Sequence, residues 1–379
     1  MKVLVLGSGL IGRPMAVDLA KDKLFDVTVA DLSKKNLNKI PAEFPIKKIV
    51  KDISNLKELK PLLKKYDIVL NAVPGFMGFN TLKEIIKAKI NVVDIAFFPE
   101  NPFELDELAK QNNVTAVVDC GVAPGMSNLL CGYVNSILDK TDKILIYVSG
   151  LPVVREYPYE YKAGFSPIDV IEEYTRPARY IENGKLVIRP ALSDPEFINF
   201  DKVGTLEAFN SDGLRTLADT LNAPNMKEKT LRYPGHIDKM LLLRESGFFS
   251  QNEIQINGIK LKPVDFTSKL LFPMWELKDG DKEFTVMRII IEGEKNNKKI
   301  RYTYNLLDHH DEKTNTHSMA RATGYTTTTV LRLMANGLFD RKGICPPEYI
   351  GQKHICVKFV LKELKKRGVV YHQTIETIE

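Results

Sequence analysis

Short apolar runs alternate with amphipathic intervals through the first 125 residues of the chain. The runs are VLVLG (3–7), DVTVAD (26–31), KKIVKD (47–52), DIVLNAV (67–73), NVVDIAF (91–97) and VTAVVDC (114–120). Between them, MAVDLAKD (15–22), LKELKPLLKKY (56–66), TLKEIIKA (81–88) and FELDELAKQN (103–112) repeat apolar positions at helical spacing. Strands that alternate with helices pair in parallel through right-handed crossovers. A sheet covered on both faces does not need strict polar alternation, which these runs lack. The pattern predicts an α/β fold, a doubly wound parallel Rossmann sheet.

Past residue 140 the pattern changes. KILIYVSG (143–150) reads as a strand, and SPIDVIEEY (166–174) as a helix with Ser166 as N-cap and Pro167 in its first turn. RYIENGKLVIRP (179–190) reads as a hairpin around Asn183-Gly184, and residues 281–307 read as a second one. PEFINF, TLEAF and KTLRY add strands, so this part is predicted to be an inserted α+β domain with a largely antiparallel sheet. Helical spacing returns after residue 317, in a tail expected to pack back on the first domain. The expected organisation is a dinucleotide-binding Rossmann domain of residues 1–125 plus 317–379, and an α+β substrate-binding and dimerisation domain of residues 126–316.

Composition changes the picture little. The formal charge of +6 is the difference between 54 basic and 48 acidic side chains among 379 residues, and no basic block carries interleaved aromatics. No nucleic-acid partner is expected. No stretch approaches the ~18 apolar residues of a membrane span, so no membrane is expected either. Cys120, Cys131, Cys345 and Cys356 form no CxxC pair, which suits a reducing, cytoplasmic setting.

The chemistry begins at GSGLIG, Gly7, Ser8, Gly9, Leu10, Ile11 and Gly12, which follows the first strand and opens a helix. In that context G-x-G-x-x-G is a dinucleotide fingerprint. Gly7 makes the turn, Gly9 admits the pyrophosphate, and Gly12 lets helix and strand pack closely. Asp31 ends the second strand, where a carboxylate accepts the ribose hydroxyls and repels a 2′-phosphate; NAD is favoured over NADP, although Lys34 and Lys35 lie nearby. Asp52, the turn Asn71-Ala72-Val73-Pro74, Asp94 and Asp119 end the next strands and fall at the expected ligand crevice. In TLRYPGH, Arg232 is the first choice for gripping a substrate carboxylate, the alternative being a structural ion pair. Thr230 shares its face. Arg215 and Asp212 of SDGLRTL are further candidates. Lys162 and His236 are catalytic candidates, although no spacing singles out the base. Tyr157, Tyr159 and Tyr161 form a packing stripe if extended. His309-His310 with Asp308 and Asp311 reads as a loop, and no metal is expected.

These stretches also carry a resemblance. VLGSGLIGR, NAVPGFMGFN, DCGVAPGMSN, SGLP, EYTRPARYIENGK, SDGLRTL, TLRYPGH and SMARATGYT together resemble the saccharopine dehydrogenase-like family, most closely its NAD-dependent L-lysine 6-dehydrogenase branch. The resemblance implies oxidation of an amine carbon by NAD in a homodimer or higher homo-oligomer. Asp119, Gly125, Asp212, Arg215, Thr216, Arg232 and Tyr233 are the expected substrate contacts. The lysine branch implies release of ammonia from the ε-carbon. The alternative is cleavage of a secondary amine by a saccharopine dehydrogenase, and a more distant one is a non-catalytic NAD-binding sensor. Saccharopine reductases tend to carry Asp before the Pro-Gly of the turn, where this chain has Ala123.

Overall fold

The computed structural model describes residues 1–278 and 280–378. The first stretch runs β1 (Lys2–Leu6), α1 (Gly12–Ala20), β2 (Asp26–Asp31), α2 (Lys34–Asn38), β3 (Lys47–Val50) and α3 (Leu56–Leu63). It continues β4 (Ile68–Asn71), α4 (Gly75–Lys87), β5 (Asn91–Asp94), α5 (Asp106–Gln111), β6 (Thr115–Val117) and α6 (Met126–Ile137). The inner strands bury nearly every residue because helices cover both faces, while the edge strand β3 is mostly exposed; Leu4, Leu6, Val69, Val92 and Ala116 share one core with Leu59, Leu82 and Ile85.

A second series follows: β7 (Lys140–Pro152), α7 (Pro167–Thr175), β8 (Ala178–Glu182), β9 (Lys185–Arg189), β10 (Glu196–Phe200), β11 (Gly204–Asn210), α8 (Leu217–Thr220) and β12 (Asn225–Arg232). Then come α9 (His236–Glu245), the small pair β13 (Ile254–Ile256) and β14 (Ile259–Leu261), α10 (Pro263–Trp275), β15 (Glu283–Lys295) and β16 (Lys298–His309). Asn183 and Gly184 both have positive φ, as the tight β8–β9 turn requires, and Asn296 and Asn297 do the same between β15 and β16. The chain ends with α11 (Ser318–Ala335), β17 (Gly343–Cys345), α12 (Pro347–Gly351), α13 (His354–Lys366) and β18 (Tyr371–Thr377).

The chain divides into two compact units, Met1–Ile137 with Met319–Val370, and Leu138–Ser318 with Tyr371–Glu379. The expected boundaries therefore shift at two places. α6 stays with the first unit, and β18 leaves the tail to pair with β16 in the second. In the first unit, seven parallel strands run in the order β17-β6-β5-β4-β1-β2-β3. Asp18 of α1 anchors the returning tail there: Arg332 and Arg367 donate to it at 2.7 and 2.8 Å, and Thr328 at 2.6 Å. The second unit is a nine-stranded mixed sheet, in which β7 and β12 run parallel while its other pairs are antiparallel. Trp275, Tyr174, Phe209 and Tyr161 pack in its core. Among the described residues no helix is long and apolar enough to cross a membrane.

Candidate active site

In the first unit the strand order reverses between β1 and β4, which makes the carboxyl end of β1 a topological switch point. The glycine turn lies there, and each glycine has a distinct reason. Gly7 has φ +96°, and a Cβ on it would stand 2.6 Å from the Ala72 carbonyl oxygen. A Cβ on Gly12 would stand 2.2 Å from the Gly7 carbonyl. A Cβ on Gly9 would meet nothing within 4 Å. Packing thus dictates two glycines, while the third keeps backbone open toward space, which suits a pyrophosphate at the start of α1. Asp31 accepts the backbone N–H groups of Ser8 and Ser33, both at 2.6 Å, so its carboxylate is fixed beside that turn.

The other strand ends differ from the sequence reading. Asp94 is fully buried, takes Asn71 Nδ2 at 2.9 Å and the Ala96 N–H at 2.7 Å, and thus orients Asn71 instead of facing a ligand. Asn71 Oδ1 is buried without a hydrogen-bond partner. Asp52 folds onto the N–H and hydroxyl of Ser54, which hold its pKa down, so it serves first as a turn cap. Asp119 and Gly125, expected against substrate, are buried. Gly125 has φ +140° and a Cβ would fall 1.9 Å from the Gly121 carbonyl, so the turn closes only with glycine. Its amide donates to Asn128 Oδ1, and Asn128 Nδ2 reaches Glu348 on α12. Ala123 and Pro124 are the partly exposed residues of residues 119–128.

In the second unit Arg232 ends β12 and is 2 % exposed. Its Nη2 lies 2.6 Å from Glu173 Oε2, Nε donates to the Tyr174 hydroxyl, and Nη1 donates to Ser149 Oγ and the Leu231 carbonyl. The guanidinium also stacks 4.3 Å from the Tyr161 ring centroid. The guanidinium thus forms the structural ion pair, with every nitrogen engaged inside the second unit. His236 shares this cluster. Its Nδ1 lies 2.8 Å from the Tyr159 carbonyl and must carry the proton, so Nε2 accepts from the Tyr174 hydroxyl at 3.0 Å. Burial and the nearby Arg232 charge push its pKa down to about 3. Both nitrogens of this neutral imidazole are engaged within the second unit, so packing places His236 here.

The remaining expected residues are also placed by internal contacts. Lys162 Nζ pairs with Glu156 at 3.0 Å, and the Tyr233 hydroxyl donates to the Pro152 carbonyl beneath the Arg155 guanidinium. The tyrosine stripe does not form, because residues 157–159 turn and leave Tyr157 exposed while Tyr161 is buried. Thr216 is buried and starts α8. Asp212 receives Arg179 through two bonds, 2.8 and 3.1 Å, so it faces a guanidinium and not a substrate ammonium.

Sequence reasoning missed two features here. Arg176 lies close enough to Arg215 for that charge, after burial, to lower its pKa, with Glu172 and Asp212 opposing. Arg176, Arg179 and Arg215 thus gather around Asp212. Glu228 is the second. Its buried carboxylate accepts Ser211 Oγ at 2.7 Å and the Gly213 amide at 3.1 Å, yet burial pushes its pKa up to about 8. A Cβ on Gly213 would lie 2.3 Å from the Glu228 carboxyl carbon, which explains the glycine of SDG. Alternation along β12 was the available signal, since Glu228, Thr230 and Arg232 share a face.

A family model described as the saccharopine dehydrogenase C-terminal domain matches residues 121–369, and one described as the saccharopine dehydrogenase NADP binding domain matches residues 3–117. The mitochondrial alpha-aminoadipic semialdehyde synthase of Bos taurus is 25% identical over 256 residues, 62% of this chain and 27% of that protein. The saccharopine dehydrogenase (NADP(+), L-glutamate-forming) of Saccharomyces cerevisiae is 27% identical over 284 residues, 71% of this chain and 62% of that protein. The chain thus spans about a quarter of the first relative's length and three fifths of the second's. Among solved structures, the apo histidine-tagged saccharopine dehydrogenase (L-Glu forming) from Saccharomyces cerevisiae superposes with a TM-score of 0.79 at 19% identity, covering 100% of both chains, a likeness of fold.

Proposed function

The chain belongs to the saccharopine dehydrogenase family, and from that premise we propose that it oxidises the carbon–nitrogen bond at the ε-carbon of a lysine-derived amino acid, with saccharopine as substrate and NAD as coenzyme. The observation that carries the choice of substrate is the match of both halves of the chain to saccharopine dehydrogenase family models. Arg176, Arg179 and Arg215, gathered at Asp212, are guanidiniums of the kind that bind a substrate bearing several carboxylates through bidentate bonds.

The glycine turn fits a dinucleotide, because its one open position lies at a helix N-terminus. Bound there, a nicotinamide coenzyme supplies hydride-acceptor chemistry. The backbone of residues 7–12 would hold the pyrophosphate, and Asp31 would accept the ribose hydroxyls and disfavour a 2′-phosphate. In the second unit Arg176 and Arg215 orient the substrate carboxylates. The substrate amine must be deprotonated before its carbon releases hydride. Glu228, with its carboxyl near 8, holds or takes a proton in the pH range where this chemistry has to run. Water then splits the oxidised carbon–nitrogen bond into an aldehyde and glutamate.

The test is turnover of saccharopine and of lysine, each with NAD⁺ and NADP⁺, following reduced coenzyme and assaying glutamate and ammonia. Glutamate from saccharopine is the expected product. Absence of turnover with either substrate would overturn the reading. One observation favours a second reading, lysine 6-dehydrogenase: the partly exposed Ala123 puts a methyl where saccharopine reductases tend to carry an acid. Ammonia from lysine without glutamate from saccharopine would select it.

A further inference from the structure

We infer that Glu283, His310 and His317 form a binding site for a divalent transition-metal ion, Zn²⁺ being the ion their chemistry suits. One ligand atom from each lies within 4.8 Å of the others, and the three residues are buried, half-buried and buried in that order. They come from the first residue of β15, the residue after β16 and the residue before α11.

The backbone creates this meeting. Asp311 and Thr316 close a tight turn through two hydrogen bonds, N–H to carbonyl in both directions, at 2.9 and 3.1 Å. His310 and His317 flank that bridge and meet edge-on, with ring centroids 5.1 Å apart and planes inclined by 61°. The His310 amide donates to the Glu283 carbonyl at 2.9 Å, which fixes the turn against β15. Glu283 Oε1 also accepts the Ser318 N–H, so the carboxylate is held at the start of α11.

The distances suit a metal. The Nδ1 atoms of His310 and His317 are 3.3 Å apart. Two nitrogens about 2.05 Å from a tetrahedral Zn²⁺ stand about 3.3 Å from each other. Glu283 Oε1 lies 3.9 Å from His317 Nδ1, within reach of an ion held by the two imidazoles. Two imidazoles and a carboxylate are borderline donors that suit Zn²⁺, Co²⁺ or Ni²⁺ and not Ca²⁺ or Mg²⁺, and a water completes the fourth position. The ion would join β15, the turn at residues 311–316 and the start of α11, adding metal affinity to the stability of the second unit.

The test uses the full chain after dialysis against a chelator, titrated with ZnCl₂ by calorimetry and with CoCl₂ by visible absorption. One equivalent should bind, with the d–d spectrum of four-coordinate Co²⁺ and a rise in Tm. His310→Ala, His317→Ala and Glu283→Gln should each weaken binding by more than roughly tenfold. His309→Ala, at an exposed neighbour outside the cluster, should bind as the wild type does. If His317→Ala fails to fold, the half-buried His310→Ala still decides, with far-ultraviolet circular dichroism as the check. No bound equivalent, or equal binding by the His310→Ala variant, would mean that the pair is only two hydrogen-bonded imidazoles and would overturn the inference.

Discussion

Arg232 on β12 and Glu173 on α7 form an ion pair, Nη2 to Oε2 2.6 Å, inside the aromatic core of the second unit. Tyr161 stacks on the guanidinium, and Tyr174 links it to His236. Removing Arg232 leaves the half-buried Glu173 carboxylate without its partner and opens a void among the aromatic rings. Arg232→Ala should therefore cost about 3–5 kcal/mol of stability. The pair replaced together by Met at 232 and Gln at 173 should recover part of that loss. Urea denaturation of the three proteins checks this. If Arg232→Ala keeps wild-type stability and loses only substrate affinity, Arg232 is a substrate ligand after all.

Two glycines separate fold from function. Gly125→Ala forces a Cβ into the Gly121 carbonyl at a φ of +140°, and the protein should lose soluble expression or most of its Tm. Gly9→Ala meets no atom within 4 Å and should keep its Tm. It should nevertheless weaken dinucleotide binding by roughly tenfold or more, because the added methyl occupies the pyrophosphate's approach. Coenzyme titration by nicotinamide fluorescence reads the effect. Unchanged coenzyme affinity in Gly9→Ala would remove this turn from the site.

Asp31 gives a coenzyme test of its own. Its carboxylate is fixed by the amides of Ser8 and Ser33, so it cannot turn away from an incoming 2′-phosphate. NAD should be preferred over NADP by roughly tenfold or more in kcat/KM, and Asp31→Ser should narrow or invert that ratio. A wild-type preference for NADP would show that Lys34 and Lys35 outweigh the acid.

Much of this architecture was legible in the sequence, for identifiable reasons. The parallel sheet was readable because buried strands and amphipathic helices alternate at different periods. The Asn183-Gly184 turn was readable because only such residues adopt two positive φ values at low cost. Side-chain partnership was not readable. Arg232 and His236 looked available because a sequence does not show that Glu173 and Tyr174, 58 to 62 residues earlier, saturate them. Asp94 read as a crevice acid, but the adjacent strand presents Asn71 to it. Glu283 lies 27 residues before His310, and only the β15–β16 pairing brings them together.

Glu228 ties stability to pH, and the sign follows from its raised pKa. Folded, its carboxyl titrates near 8; unfolded, a glutamate titrates near ~4.3. Between those values the native state binds more protons than the unfolded chain, so this group makes stability fall as pH rises. His236 acts the other way, because its pKa drops to about 3 on folding, but an unfolded histidine is already neutral above pH ~6.5. From pH 7 to 9 the Glu228 contribution therefore stands nearly alone of the two. Wild-type stability should decline across that window, Glu228 contributing on the order of 1 kcal/mol and the thiols of Cys120, Cys131, Cys345 and Cys356, whose pKa values burial pushes up, adding to the fall toward pH 9. Glu228→Gln keeps a neutral side chain beside Ser211 and Gly213, and should decline less than the wild type between pH 7 and 8 and be more stable than it at pH 9. Urea midpoints at pH 7, 8 and 9 measure both. The same substitution should abolish any ionisation near pH 8 in kcat, whereas a purely structural Glu228 would change the midpoints and leave the rate profile as it was.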